Sequence, residues 1–161
     1  MKTLLLTILI LGLPSKNIIA QAPLDTIIFA TGDKYIGQQN NGLPHGEGIM
    51  IWVSGDKYQG SWKNGLFSGQ GIMMWASGDK YEGGWKFGQK HGSGIMSWNS
   101  GDNYNGKWKY DKKHGKGIMK WKIGHLYKGK WKNDKENGKG TMKFSTGQIQ
   151  SGRWKMGVFR N

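Results

Sequence analysis

A 23-residue period constrains this chain more than any other feature. Tyr35, Tyr58, Tyr81, Tyr104 and Tyr127 are spaced by that interval. All nine tryptophans fall in two registers of the unit: Trp62, Trp85, Trp108, Trp131 and Trp154 in one, Trp52, Trp75, Trp98 and Trp121 in the other. Of the 28 glycines, only Gly12 and Gly84 lie outside five glycine registers. A fixed period of this length means that each unit is one supersecondary element, which buries its apolar face by stacking on the next.

The unit from Tyr81 to Asn103 reads YEGGWKFGQKHGSGIMSWNSGDN. Numbered from its tyrosine as position 0, positions 0, 2 and 4 are Tyr, Gly and Trp, while positions 1, 3 and 5 are mostly polar. That alternation predicts a strand with one buried face. Gly94, Met96 and Trp98 repeat it at positions 13, 15 and 17. A short loop holding Gly and His separates the two halves, and Ser-Gly-Asp closes the unit as a turn. Each unit is thus expected to form a β-hairpin. The fold class is all-β: an elongated, single-layer antiparallel sheet of stacked hairpins. Its ladder is Tyr58, Trp62, Trp75, Tyr81, Trp85, Trp98, Tyr104, Trp108, Trp121, Tyr127 and Trp131. Strand glycines such as Gly83 and Gly94 are expected to lie bare beneath a phenol or indole, an arrangement that rescues an otherwise weak strand residue. Helix is disfavoured, because each glycine costs about 1 kcal/mol against alanine.

YxGxW, a glycine-containing loop, HGxG, an apolar-aromatic strand and a closing SGD resemble the MORN (membrane occupation and recognition nexus) repeat. The resemblance covers five copies over residues 35–149, with half-copies over 21–34 and 150–161 expected to cap the array. Individual copies depart from it: Gln39 replaces a tryptophan, Gln150 a tyrosine, Asp111 and Asp134 a loop glycine, Ser68 and Asn137 the loop histidine, and His125 the turn aspartate. The resemblance implies a twisted single-layer sheet that binds membranes or proteins, and it does not imply catalysis.

Residues 1–20 read as a secretory signal peptide: Lys2, an apolar run from Thr3 to Leu13, then Pro14, Ser15 and a small residue, Ala20, before the expected cut. Export to the periplasm, cell envelope or medium is the expectation. With no cysteine in the chain, export would bring no disulfides. At the far end, Ser151 to Phe159 reads as the first half of a unit and hence as one closing strand. Arg153, Lys155 and Arg160 would blunt pairing at that edge.

Charge is unevenly placed. Residues 21–80 carry a net −1 and residues 81–103 balance, whereas residues 104–161 hold sixteen Lys or Arg against three acids, a net +13. Lys107, Lys130 and Arg153 share position 3; Lys109, Lys132 and Lys155 share position 5; Lys120 and Lys143 share position 16. All eight are expected on the face opposite Tyr-Gly-Trp, in rows about 10 Å apart. Such a lattice suits an extended anionic surface, although exposed lysines also serve solubility alone.

Other residue types carry blander readings. His45, His91 and His114 recur at one position roughly 10 Å apart, too far to share a metal ion. Asp33, Asp56, Asp79 and Asp102 follow a turn glycine, where aspartate bonds local backbone, and no second carboxylate completes an oxygen cage. There is no Ser-His-Asp set or paired carboxylate, and no cofactor motif in a strand-to-helix setting. The reading is a non-catalytic scaffold, without metal, cofactor or small-molecule substrate, whose basic end binds an anionic membrane lipid or an acidic protein. Nucleic acid fits the charge but not export. The alternatives are a glycan-binding module using an exposed Trp/Tyr ladder, and a structural protein that self-associates through its end strands.

Overall fold

A computed structural model describes residues 24–160. The expected leader at 1–20, its cleavage after Ala20 and the first residues of the N-terminal cap lie outside them. Thirteen strands run in chain order: β1 (Asp25–Ile28), β2 (Lys34–Asn40), β3 (Leu43–Ile51), β4 (Lys57–Lys63), β5 (Leu66–Met74) and β6 (Lys80–Lys86) form the first half. Then follow β7 (Gln89–Ser97), β8 (Asn103–Lys109), β9 (Lys112–Lys120), β10 (Leu126–Lys132), β11 (Lys135–Lys143), β12 (Ile149–Lys155) and β13 (Val158–Arg160). They make one antiparallel sheet in which every strand pairs only with its sequence neighbours. The two edges are the short strands β1 and β13. The chain therefore closes with a full hairpin, not the single strand expected. Arg153 and Lys155 lie on β12, and only Arg160 is on the edge.

The hairpin loop is tighter than the sequence suggested. Only two residues link β6 to β7, Phe87 (φ 51°) and Gly88 (φ 78°), and both take positive φ. That is the type I′ turn, whose twist matches the strands it joins. The histidine expected in the loop sits instead within the second strand, at an irregularity of the ladder. Gly83 faces Gly94 and Trp85 faces Lys90, so Gly84 alone spans His91, Gly92 and Ser93. The bulge preserves the alternation, which puts Lys90 on the same face as Trp85. The turn tolerates Phe87 and Tyr110 in the left-handed region, where Asn41, Asn64 and Asn133 stand in other copies. Asparagine enters that region far more readily than an aromatic. Phe87 is also largely exposed, at 69%. Phe87→Asn should therefore raise stability by about 1 kcal/mol, read as an upward shift of the urea midpoint with an unchanged slope.

The core is one face of the sheet. The five repeat tyrosines are fully buried, and the tryptophans at position 4 are 3–7% exposed. Trp52, Trp75, Trp98 and Trp121 follow their strands immediately and are only half-buried, packed against that core. The main ladder is not tryptophan on tryptophan. Rings alternate: Tyr58 meets Trp62 at 5.0 Å and Trp85 at 5.6 Å, while Tyr81 meets Trp85 at 5.0 Å and Trp108 at 5.5 Å. All four contacts are edge-to-face, which places the positive edge of one ring on the negative face of the next. Each tryptophan thereby ties its own repeat to the one before. Its indole nitrogen does the same, as Trp85 Nε1 donates to the Gly71 carbonyl at 3.2 Å.

Each tyrosine lies over the glycines. The Tyr81 hydroxyl donates to the Gly84 carbonyl at 3.0 Å, and a Cβ on Gly94 would overlap the phenol ring and its oxygen. Removing a strand glycine normally helps by roughly 0.5–1 kcal/mol. Here the sign reverses: Gly94→Ala should destabilise by about 1–3 kcal/mol, because a buried ring must move. Urea unfolding would show it, and a stabilised variant would disprove the close approach.

Burial pushes these phenols up, Tyr35 and Tyr127 to about 12 and Tyr58, Tyr81 and Tyr104 further. Unfolded tyrosines ionise near pH 10. Below that pH both states hold the proton and stability is flat. Above it the unfolded chain binds fewer protons than the folded one, so stability falls as pH rises. Burial pushes the Lys90 and Lys113 ammonium groups down, which acts in the opposite sense up to the unfolded lysine value. Urea midpoints measured from pH 9 to 12 should therefore hold or rise slightly at first and then decline steeply.

The turn aspartates do more than bond local backbone. Asp79 accepts from Asn99 N at 2.8 Å and Asp102 from Lys122 N at 2.8 Å, each clamping the corresponding turn of the following repeat. His125 keeps the role, its Nδ1 accepting from Ser145 N at 3.0 Å. The loop aspartates act likewise in the other direction: Asp111 accepts from Lys90 N and Asp134 from Lys113 N, both at 2.8 Å.

Candidate binding surface

The sheet has a second face, and strand alternation sends the predicted cations to it. Lys107, Lys109, Lys120, Lys130, Lys132, Lys143, Arg153 and Lys155 are all exposed. Each is adjacent in sequence to an inward residue: Lys107 and Lys109 flank Trp108, Lys130 and Lys132 flank Trp131, and Arg153 and Lys155 flank Trp154. Lys120 and Lys143 follow the buried Met119 and Met142.

Register brings further cations between them. Lys116 on β9 faces Lys130 directly, and Lys139 on β11 faces Arg153. With Lys107 on β8 they form a row with one cation on each of five consecutive strands. Its spacing is that of neighbouring strands, about 4.8 Å, half the interval expected from the repeat alone. Lys112 and Lys135 likewise face Lys109 and Lys132 across the turns. Lys116 and Lys139 also recur at the period, at position 12, but only the register shows that they fall between the cations of position 3. Their outward direction was nonetheless readable from Lys116 and Lys139 preceding the inward glycines Gly117 and Gly140.

Like charges directly opposite one another cost stability, and no acid after residue 103 lies on this face to offset them. The three acids after residue 103 are Asp111 and Asp134, in turns, and Glu136, on the aromatic face. Among the described residues the one ion pair is Lys80–Glu82, on β6 near the middle of the sheet and outside the basic region. The equivalent row in the N-terminal repeats reads Gln38, Glu47, Ser61 and Gln70. A shallow cavity of about 450 Å³ lies within the basic region, lined by Lys128, Lys139, Thr141, Ser151 and Arg153 over Gly140 and Gly152. Its two hydroxyls lie 2.9 Å apart, Thr141 standing where the other repeats have Ile.

The ladder offers no equivalent platform. Trp62, Trp85, Trp108 and Trp131 are consumed by internal packing, and Trp75, Trp98 and Trp121 present part of their rings only. No group of three or more metal-ligating side chains occurs among the described residues. His45, His91 and His114 keep their Nδ1 atoms buried and without a hydrogen-bond partner among the described residues.

A comparison with curated proteins finds no match. Among solved structures, the TCP domain of SAS-4 (dCPAP) from Drosophila melanogaster, in complex with a proline-rich motif of Ana2 (dSTIL), aligns over 89% of this chain and 97% of that one. The identity is 13% and the TM-score 0.36. A streptogramin B lyase structure aligns over 81% of this chain and 68% of its own, at 8% identity and a TM-score of 0.23. Neither likeness carries an argument about this chain. The family profile is another matter: the MORN repeat matches five consecutive segments, 35–57, 58–80, 81–103, 104–126 and 127–149. Those segments are the stacked hairpins themselves, and the chain belongs to the MORN repeat family.

Proposed function

We propose that this repeat scaffold is exported and docks through its basic face on an anionic membrane surface. The observation that carries the reading is the row Lys107, Lys116, Lys130, Lys139 and Arg153, one cation per strand. A row that pairs like charges at a cost to the fold, with no acid beside it, supports a ligand that repays the cost. A sheet face presents its cations in one layer, which suits an extended charged plane better than a compact anion. Each lysine near such a surface is worth about 1 kcal/mol, and the attraction fades beyond a Debye length.

Co-sedimentation with liposomes tests it. Vesicles containing phosphatidylserine should bind the protein at low salt and release most of it at high salt, while neutral vesicles should not bind it. Absence of binding to the anionic vesicles at low salt would remove the membrane, and an acidic partner protein would become the leading reading.

A further inference from the structure

The aromatic face has its own series, at position 9, where Phe67, Lys90, Lys113 and Glu136 follow one another in successive repeats. Each stands opposite the position-4 tryptophan of its repeat: Phe67 across from Trp62, Lys90 from Trp85, Lys113 from Trp108 and Glu136 from Trp131. Phe67 stacks flat on Tyr58 at 3.9 Å. Lys90 brings its ammonium over Trp108 at 4.9 Å, Trp75 at 5.8 Å and Tyr81 at 5.8 Å. Lys113 does the same over Trp131 at 4.5 Å, Tyr104 at 5.7 Å and Trp98 at 5.9 Å. Three ring surfaces around one ammonium form a cation–π cage. A carboxylate accompanies each, Asp111 accepting from the Lys90 backbone and Asp134 from that of Lys113.

The next repeat keeps the cage and reverses the charge. Tyr127 meets Trp131 at 5.1 Å and Trp154 at 5.4 Å, matching the 5.1 Å and 5.4 Å of Tyr104 with Trp108 and Trp131. Trp121 follows β9 as Trp98 follows β7. The half-buried Glu136 stands where the lysines stood, and Gly157 replaces the aspartate, with Glu136 Oε2 3.5 Å from where a Cβ on Gly157 would lie. Among the described residues Glu136 forms no direct ion pair; its charge is felt by the Lys113 ammonium of the neighbouring cage, which does not contact it. Behind burial, its charge also helps to push up the Tyr127 phenol.

We propose that Trp121, Tyr127, Trp154 and Glu136 form a binding site for a small organic ammonium ion, supplied from outside the chain. The two preceding repeats contain the bound state in miniature, with the chain's own lysines as ligands. The site lies on the face opposite the basic row, so its occupation is independent of membrane docking.

The test is a titration of the full chain with n-butylammonium chloride, following the indole N–H signals of Trp121 and Trp154 by NMR in physiological salt, which screens the basic face. Saturable shifts at both indoles are expected, at one ion per chain. Tetramethylammonium is the second probe: weaker binding than butylammonium shows that N–H donation to Glu136 matters as well as the rings, and equal binding assigns the site to the rings and charge alone. Glu136→Gln should weaken binding about fivefold. Glu136→Lys repeats the residue of the two preceding units, so it should fold normally and lose binding altogether. Lys113→Glu should create a second site, with Trp98 and Trp131 now shifting and two ions bound per chain. Shifts that stay linear in either ammonium ion, or a Glu136→Lys chain that binds as the wild type does, overturn the proposal.

Discussion

Trp85→Ala should lower the stability of the folded chain by about 3–5 kcal/mol, the range for truncating a buried large aromatic. Trp85 is 6% exposed and touches three rings edge-on: Tyr81 at 5.0 Å, Tyr58 at 5.6 Å and Phe67 at 5.1 Å. Its indole also donates to the Gly71 carbonyl. The contacts with Tyr58, Phe67 and Gly71 cross to the preceding repeat, so the variant strikes the interface that couples the hairpins. In a stacked array, stability is close to a sum of such nearest-neighbour terms, and breaking one in the middle also lowers cooperativity. A single-layer sheet lets water reach part of the vacated space, which holds the cost to that range. Trp98→Ala, removing a half-buried ring at the sheet margin, should cost about half as much on the same area argument. Urea unfolding of both variants decides the matter. Equal losses, or a loss under about 1 kcal/mol for Trp85→Ala, would mean that the ladder is not the source of cohesion.

The second large effect concerns the basic face. Replacing Lys107, Lys116, Lys130 and Lys139 together by glutamine should weaken binding to anionic vesicles by roughly a thousandfold, at about 1 kcal/mol per lysine. All four side chains are exposed and point away from the ladder. Removing the opposed pair Lys116–Lys130 should leave the fold as stable or slightly more so. The combination of lost binding and retained stability distinguishes a docking row from a structural one. A matched control changes Lys34, Lys57, Lys63 and Lys80, which takes four charges from the other end of the sheet. Equal loss in both variants would assign the attraction to net charge, without a defined face.

The repeat, the all-β class, the inward tyrosines and tryptophans and the outward cations were all legible in the sequence. They depend on local chemistry: a period-two pattern fixes which face a residue takes, and Asn-Gly or Ser-Gly-Asp fixes where the strand turns back. Periodicity alone could not show how the two strands of a hairpin meet. The bulge in each of these hairpins, which sets Lys90 opposite Trp85 and Lys113 opposite Trp108, is a property of paired backbones with unequal residue counts. The alternation of Tyr81 between Trp85 and Trp108 likewise exists only once consecutive repeats are in register. So does the row that interleaves Lys116 and Lys139 with Lys107, Lys130 and Arg153. Sequence spacing is measured along one strand, whereas charges and rings meet across strands, at a distance that hydrogen-bond register alone sets.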